Sequence, residues 1–419
     1  MKKLLVEGGN SLSGTIKVSG AKNSVVALIP ASILSDEAVT IYNVPNISDT
    51  ESLIDILNHL GADIEYENEI MKIDNKKLEN KVISEELSSK LRASYYFMGA
   101  LLGKYKKCEI YFPGGCNIGA RPIDLHLKGF EKMGATVTIE ADKYTIKADK
   151  LKGARIYLDL ASVGATINIM LAATKAEGTT IISNAAKEPE IVNIATFLNN
   201  MGAKISGAGT SEIKINGVKK LSKKGIIEVI PDRIEAGTYI IAGALKGDNL
   251  IIDSVIKEHL EALISKLKEI GIPMILDENR ITITATKNMN PVNVKTLVYP
   301  GFPTDLGQPM QVLLTQINGM SLFEETIWEN RMGHVKYLQK MGANYNVSGE
   351  NAVIVGATPL KGTEVLATDL RGGAAMVLAG LIAEGITEVY DIEHILRGYE
   401  NIVEKLSAVG AKISITEIQ

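Results

Sequence analysis

The stretch "KMGATVTIEADKYTIKA", residues 132–148, ends an apolar helical stripe on a glycine and then alternates apolar and polar side chains twice. Gly134 reads as the left-handed residue just past a helix end. The alternation after it reads as a β-hairpin. The phrase recurs as "HLGADIEYENEIMKID", "NMGAKISGAGTSEIKING", "EIGIPMILDENRITITA", "KMGANYNVSGENAVIVGA" and "AVGAKISITEI". Its glycines, Gly61, Gly134, Gly202, Gly271, Gly342 and Gly410, lie 73, 68, 69, 71 and 68 residues apart. One unit is therefore repeated six times along the chain.

A second phrase keeps the same spacing: a polar loop, then a helix rich in small residues. Its junctions are "SGAKNSVVAL", "SSKLRASYYF", "DLASVGATIN", "IPDRIEAGTY", "GFPTDLGQPM" and "ATDLRGGAAM". Another strand follows each, as in "CEIYFPGG" and "TTIISNAA". Each unit thus reads strand, helix, strand, helix, hairpin. Small residues let the inner helices pack closely. The outer helix, as in "ESLIDILNHLGA", carries the 3.6-residue stripe of a helix covering a sheet. The expected fold class is α/β, built from six repeats.

The junctions hold Lys22, Asn23, Arg92, Ser162, Gly164, Asp232, Glu235, Asp305 and Arg371. Helix amino termini carry unpaired N–H groups and partial positive charge. If the repeats are pseudo-symmetric, these termini converge, and Lys22, Arg92 and Arg371 add full charges. That arrangement suits an anion.

The chain has 419 residues, 46% hydrophobic and 22% charged, with net charge −4 and a pI near 5.9. Such a balance argues against a general nucleic-acid or membrane-surface binder. The opening "MKKLLVEGGNSLSG" is too short in apolar residues for a signal peptide, and no run approaches a membrane span. The expectation is a cytosolic protein with free thiols. Cys108, in "KKCEIYF", reads as a small buried hydrophobe. Cys116 differs: "FPGGCNIGARPIDLH" (112–126) is a glycine-rich loop with a thiol and then Arg121. The two cysteines and five histidines show no zinc spacing. His59 and His259 fall in outer-helix patterns. His126 is placed to hold the segment before it, and His394 to position Arg397.

The stretches "GAKNS", "LRAS", "PGGCNIGARPIDLH", "SVGAT", "PDRIEAGT", "YPGFPTD", "ENRMGHV", "TDLRGGAA" and "RGYE" resemble the UDP-N-acetylglucosamine 1-carboxyvinyltransferase family of the EPSP synthase superfamily. The resemblance runs over the whole chain. It implies an inside-out α/β barrel of two domains with three repeats each. Residues 22–229 would form one, carrying the Cys116 loop; residues 1–21 and 230–419 would form the second, with the active site in the cleft between them. It further implies transfer of the enolpyruvyl group of phosphoenolpyruvate to the 3′-hydroxyl of UDP-N-acetylglucosamine, with release of phosphate. This is the first committed step of peptidoglycan synthesis. No metal or organic cofactor is implied, and neither is a nucleic-acid or membrane partner; a monomer is the expected state.

The same resemblance assigns residues. Lys22, Arg121 and Arg397 match positions around phosphoenolpyruvate, with Asn23 beside them and Arg331 and Arg371 lining the cleft. Arginine forks suit such oxyanions. Arg92, the run Arg121, Pro122, Ile123, Asp124 and Leu125, then Ser162, Val163, Gly164 and Ile327 match contacts to the nucleotide sugar. Asp305 matches the group on the sugar hydroxyl, as base or as orienting residue. A ring of arginines should depress its pKa, a poor property in a base. Cys116 matches the proton donor to the vinyl carbon, and its glycines would let the loop act as a lid. The chain departs from the family pattern at Gly307 and Pro309, at Trp328, and in the glycines after Arg371. The alternatives are an enzyme of the same fold acting on shikimate 3-phosphate, and a non-catalytic repeat clamp.

Overall fold

In the computed structural model, which describes residues 2–114 and 122–417, the repeats fold as six small sheets. The third repeat shows the pattern in full. Strand Arg155–Tyr157 leads into helix Val163–Ala173, and strand Thr179–Ser183 returns parallel to the first, with Ile182 opposite Ile156. Parallel neighbours need a crossover, which the small-residue helix supplies. Helix Pro189–Met201 follows, and then the hairpin strands Lys204–Ser206 and Glu212–Asn216; the latter lies antiparallel to Thr179–Ser183.

All six glycines that end the outer helices have φ between 92° and 112°. An L side chain there costs roughly 1–2 kcal/mol, so glycine is the residue that stops the helix and turns the chain. Before Gly61, helix Ser48–Leu60 buries Leu53, Ile56, Leu57 and Leu60, the stripe read from the sequence. Each such side chain contributes roughly 1.5–3 kcal/mol of burial. Two hairpins turn through a residue pair with positive φ, Asn68–Glu69 and Ala141–Asp142, whose twist matches that of the strands.

The second repeat departs from the pattern. Its sheet has three strands, and only an isolated bridge from Ile83 to Ile110 marks the place of the fourth.

The chain divides into two compact units. Among the described residues, one holds 20–114 and 122–230, and the other 2–19 and 231–417. Each closes on itself with a strand distant in sequence. In the first, Ile226–Glu228 lies parallel to Val39–Tyr42, supplying the first repeat with its leading strand. In the second, Leu12–Lys17 lies parallel to Gly247–Asp253, while Lys2–Glu7 sits between Ile386–Tyr390 and Lys412–Glu417. The amino-terminal strands therefore complete two sheets of the carboxyl-terminal unit.

The small-residue helices form the inside of each unit. Helix Tyr96–Tyr105 packs on both Lys22–Ala31 and Val163–Ala173; helices Arg233–Lys246, Gly307–Leu314 and Leu370–Ile382 pack on one another. Close approach explains their composition. A methyl group at Gly99 would fall 2.4 Å from the Asn168 carbonyl oxygen. Among the described residues no helix is long and apolar enough to cross a membrane.

Candidate functional site

In the unit of residues 20–114 and 122–230, the predicted residues gather at helix starts. Lys22 opens helix Lys22–Ala31, and its ammonium lies 3.1 Å from the buried Asp49 carboxylate. Asn23 is half-buried beside it. Arg92 begins the turn Arg92–Tyr95. Burial holds its guanidinium below its ordinary pKa, against the opposing pull of Tyr95 and Tyr144. Ser162 caps helix Val163–Ala173, its hydroxyl accepting the Ala165 N–H at 3.2 Å. Val163 is half-buried and Gly164 buried.

Of the run before helix Asp124–Lys132, Pro122 and Asp124 are exposed, Leu125 is half-buried, and Ile123 packs in the core. Cys116 and Arg121 lie outside the described residues.

The second unit holds a tight charged cluster. Asp305 lies in the turn Thr304–Leu306; its Oδ1 is 2.9 Å from Arg331 Nη1 and its Oδ2 is 3.3 Å from Arg371 Nη2. Both arginines are buried, while the Asp305 side chain keeps 23% exposure. Two arginines thus hold the Asp305 carboxylate. Arg371 also stacks 5.3 Å from the Tyr399 ring centroid. Burial opposes its charge, but Tyr399, Asp305 and Asp232 outweigh burial and raise its pKa.

Sequence reading missed Asp369, which organises this cluster. Its Oδ1 accepts the N–H groups of Arg371 and Gly372 at 2.9 and 3.1 Å, and its Oδ2 accepts Gln308 Nε2 at 2.9 Å. Burial alone would raise its pKa; Arg331, Gln308 and the helix N–H groups outweigh it and lower the value. The available signal was an Asp directly before a helical run. The two glycines after Arg371 belong to this arrangement. A methyl at Gly372 would fall 2.5 Å from Thr368 Oγ1, and one at Gly373 would fall 2.5 Å from Ile395 Cγ1. Likewise, a methyl at Gly307 would strike Phe323 at 2.8 Å, and Pro309 sits in the first turn of its helix, where no N–H is needed. The departures at Gly307, Pro309, Gly372 and Gly373 are local packing solutions.

Glu325 was also missed. Its carboxylate accepts the Ile327 N–H at 2.8 Å and the Thr296 and Thr304 hydroxyls at 2.9 and 2.8 Å, fixing the segment that carries Ile327. Arg397 is half-buried after the turn Glu393–Leu396, which packs on helix Leu370–Ile382. Cys108 is fully buried, and burial pushes its thiol far up, as suits an inert core residue. Among the described residues no three His, Cys, Asp or Glu side chains gather as metal ligands.

The profile of EPSP synthase (3-phosphoshikimate 1-carboxyvinyltransferase) matches residues 6–406. The chain belongs to this family. Two relatives are each named UDP-N-acetylglucosamine 1-carboxyvinyltransferase 2. The one from Bacillus subtilis (strain 168) is 53% identical over 414 residues, which span 99% of this chain and 96% of the relative. The one from Listeria monocytogenes is 52% identical over 412 residues, 98% and 97% of the two chains. Among solved structures, the enolpyruvyl transferase NikO from Streptomyces tendae superposes with a TM-score of 0.91 at 27% identity, over 99% of each chain. An EPSP synthase from Acinetobacter baumannii superposes with a TM-score of 0.77 at 17% identity over the whole of both chains, a likeness of fold. The six-repeat α/β architecture expected from the sequence is that of this family.

Proposed function

We propose that this chain transfers the enolpyruvyl group of phosphoenolpyruvate to the 3′-hydroxyl of UDP-N-acetylglucosamine and releases phosphate, in the cytoplasm, at the entry to peptidoglycan synthesis. The observation that carries the reading is 53% identity, over 99% of this chain, to a protein of that name. The clustered Asp305, Arg331 and Arg371 support it.

The chemistry divides into addition and elimination. The sugar 3′-oxygen bonds to C2 of phosphoenolpyruvate while C3 takes a proton, and the hydroxyl proton leaves. C3 then gives up a proton as the C2–O bond to phosphate breaks, restoring the vinyl group. Lys22, Arg121 and Arg397 hold the phosphate and carboxylate of phosphoenolpyruvate, with Asn23 beside them. Cys116 supplies the proton to C3. Asp305 accepts the 3′-hydroxyl; with both oxygens engaged by arginines it serves first to orient that group. Arg92, Pro122 to Leu125, Ser162 to Gly164 and Ile327 receive the nucleotide sugar.

The family also contains enzymes acting on shikimate 3-phosphate, so the choice of acceptor is what needs testing. Phosphate release is measured with phosphoenolpyruvate and each acceptor in turn. Release with the nucleotide sugar alone is expected; release with shikimate 3-phosphate alone would overturn the assignment.

A further inference from the structure

Tyr399, in the stretch "RGYE", is 1% exposed, and the Arg371 guanidinium lies over its ring with Cζ 5.3 Å from the centroid. The ring itself is fixed by a short chain of hydroxyls. The Tyr399 and Thr238 oxygens lie 2.8 Å apart, and the Thr238 oxygen also lies 2.9 Å from the Ile234 carbonyl oxygen. A carbonyl only accepts, so the one Thr238 hydroxyl proton goes to Ile234. The Tyr399 hydroxyl must then donate to Thr238. Burial raises the phenol pKa against the pull of Arg371 and of the Thr238 hydrogen bond, so the ring is neutral and keeps the proton it donates.

Donation to Thr238 leaves more electron density on the phenol oxygen and its ring, which strengthens the attraction for a cation over the face. Arg371 is 2% exposed, so water does not compete for that face. Its Nη2 lies 3.3 Å from Asp305 Oδ2, longer than the roughly 2.7–2.9 Å usual between an arginine and a carboxylate. The ion pair alone therefore holds the guanidinium plane loosely, and the ring supplies the missing constraint. The three side chains come from separate elements of the carboxyl-terminal unit. Arg371 lies in helix Leu370–Ile382, Thr238 in helix Arg233–Lys246, and Tyr399 just past the turn Glu393–Leu396.

We infer that Tyr399 is a positioning residue for the reaction: its ring face, fixed through Thr238, holds the Arg371 guanidinium against Asp305 and so keeps that carboxylate aimed at the acceptor hydroxyl. The inference rests on the proposed function for the step it serves, but not for the stack itself. Tyr399 acts through Arg371 and touches no reacting atom. Simple packing at this position would be met by any apolar side chain of similar size, whereas holding the guanidinium flat needs an aromatic face.

The test has two parts on the full chain. Nitrogen-15 NMR of the arginine side chains reads the stack in the free protein. A guanidinium over an aromatic face is shifted upfield, so upfield Arg371 signals are expected in the wild type and in Tyr399→Phe, and their loss in Tyr399→Leu. Unshifted signals in the wild type overturn the inference. Steady-state phosphate release and calorimetry then follow the reaction. In Tyr399→Leu, kcat is expected to fall about ten- to thirtyfold while affinity for UDP-N-acetylglucosamine stays within about threefold. Tyr399→Phe keeps the face and is expected within about threefold of wild-type turnover. In an Arg371→Lys background, where a point charge replaces the planar fork, the change to Leu is expected to cost less than about threefold. Equal losses in the Phe and Leu variants, a Leu loss as large in the Arg371→Lys background, or wild-type turnover in the Leu variant overturns the inference. A wild-type protein that keeps the Arg371 shift but releases no phosphate with the nucleotide sugar overturns the proposed function and the role assigned to Tyr399, and leaves the stack standing.

Discussion

Arg331 Nη1 lies 2.9 Å from Asp305 Oδ1 and also donates to the Thr304 carbonyl at 3.0 Å, so the guanidinium grips the turn as well as its carboxylate. Arg371 takes the other carboxylate oxygen. Asp369, through Gln308 and its helix cap, holds the backbone of both arginine segments. The Asp305 carboxylate is thereby fixed in direction before any substrate arrives.

Asp305→Asn keeps the size of the side chain but presents an amide to two arginines. Turnover should fall by more than about a hundredfold, the scale set by loss of a positioned acid–base or orienting group. Affinity for the nucleotide sugar should change by less than about tenfold, since most of its assigned contacts lie elsewhere. Steady-state phosphate release and calorimetry measure the two. A variant within threefold of wild-type turnover would remove Asp305 from the reacting hydroxyl.

Glu235 gives a pH signature to the carboxyl-terminal unit. It is 2% exposed, accepts the Ser19 N–H at 2.7 Å and pairs with Lys405 at 2.7 Å. Burial pushes its carboxyl up to about 7, against the pull of Lys405. An unfolded glutamate titrates near 4.3, so between these values the folded state binds more protons. Stability from this residue is then full below about pH 4, falls as pH rises toward 7, and is level above. Urea unfolding at pH 5 and pH 8 should show a loss on the order of 2–3 kcal/mol. Glu235→Gln should remove most of that difference. An unchanged difference would place the titrating group elsewhere.

The repeats were legible because their markers are local. A glycine with positive φ and an alternating hairpin each occupy a few residues, and all six cap glycines adopt the conformation their position required. The pairing of Leu12–Lys17 with Gly247–Asp253 was not legible in the pattern, since a parallel strand pair more than two hundred residues apart leaves no local mark. The reduced sheet of the second repeat was likewise hidden. In the site, Asp305 and Arg371 stood out by their place in the repeat. Asp369 and Glu325 did not, because their role is to bind backbone groups that only the folded chain brings near.

Cys116→Asp should keep substantial turnover while Cys116→Ser loses most of it. A reloadable proton donor needs a pKa not far from the working pH. A thiol begins near 8.5 and a carboxyl near 3.9, whereas a serine hydroxyl lies far above both. Size alone ranks serine as the milder change, so the two explanations give opposite orders. Both variants should resist an epoxide mimic of phosphoenolpyruvate. Wild-type turnover in the serine variant would reassign Cys116 to loop closure.

The most direct measurement is phosphate release by the purified protein in phosphoenolpyruvate, with UDP-N-acetylglucosamine present or absent and the sugar product analysed by mass spectrometry. The expected result is release only when the nucleotide sugar is present, matched one for one by a product carrying an added enolpyruvyl group. Release without that product, or no release with the nucleotide sugar while shikimate 3-phosphate supports it, would contradict the assignment of this chain as a UDP-N-acetylglucosamine enolpyruvyl transferase.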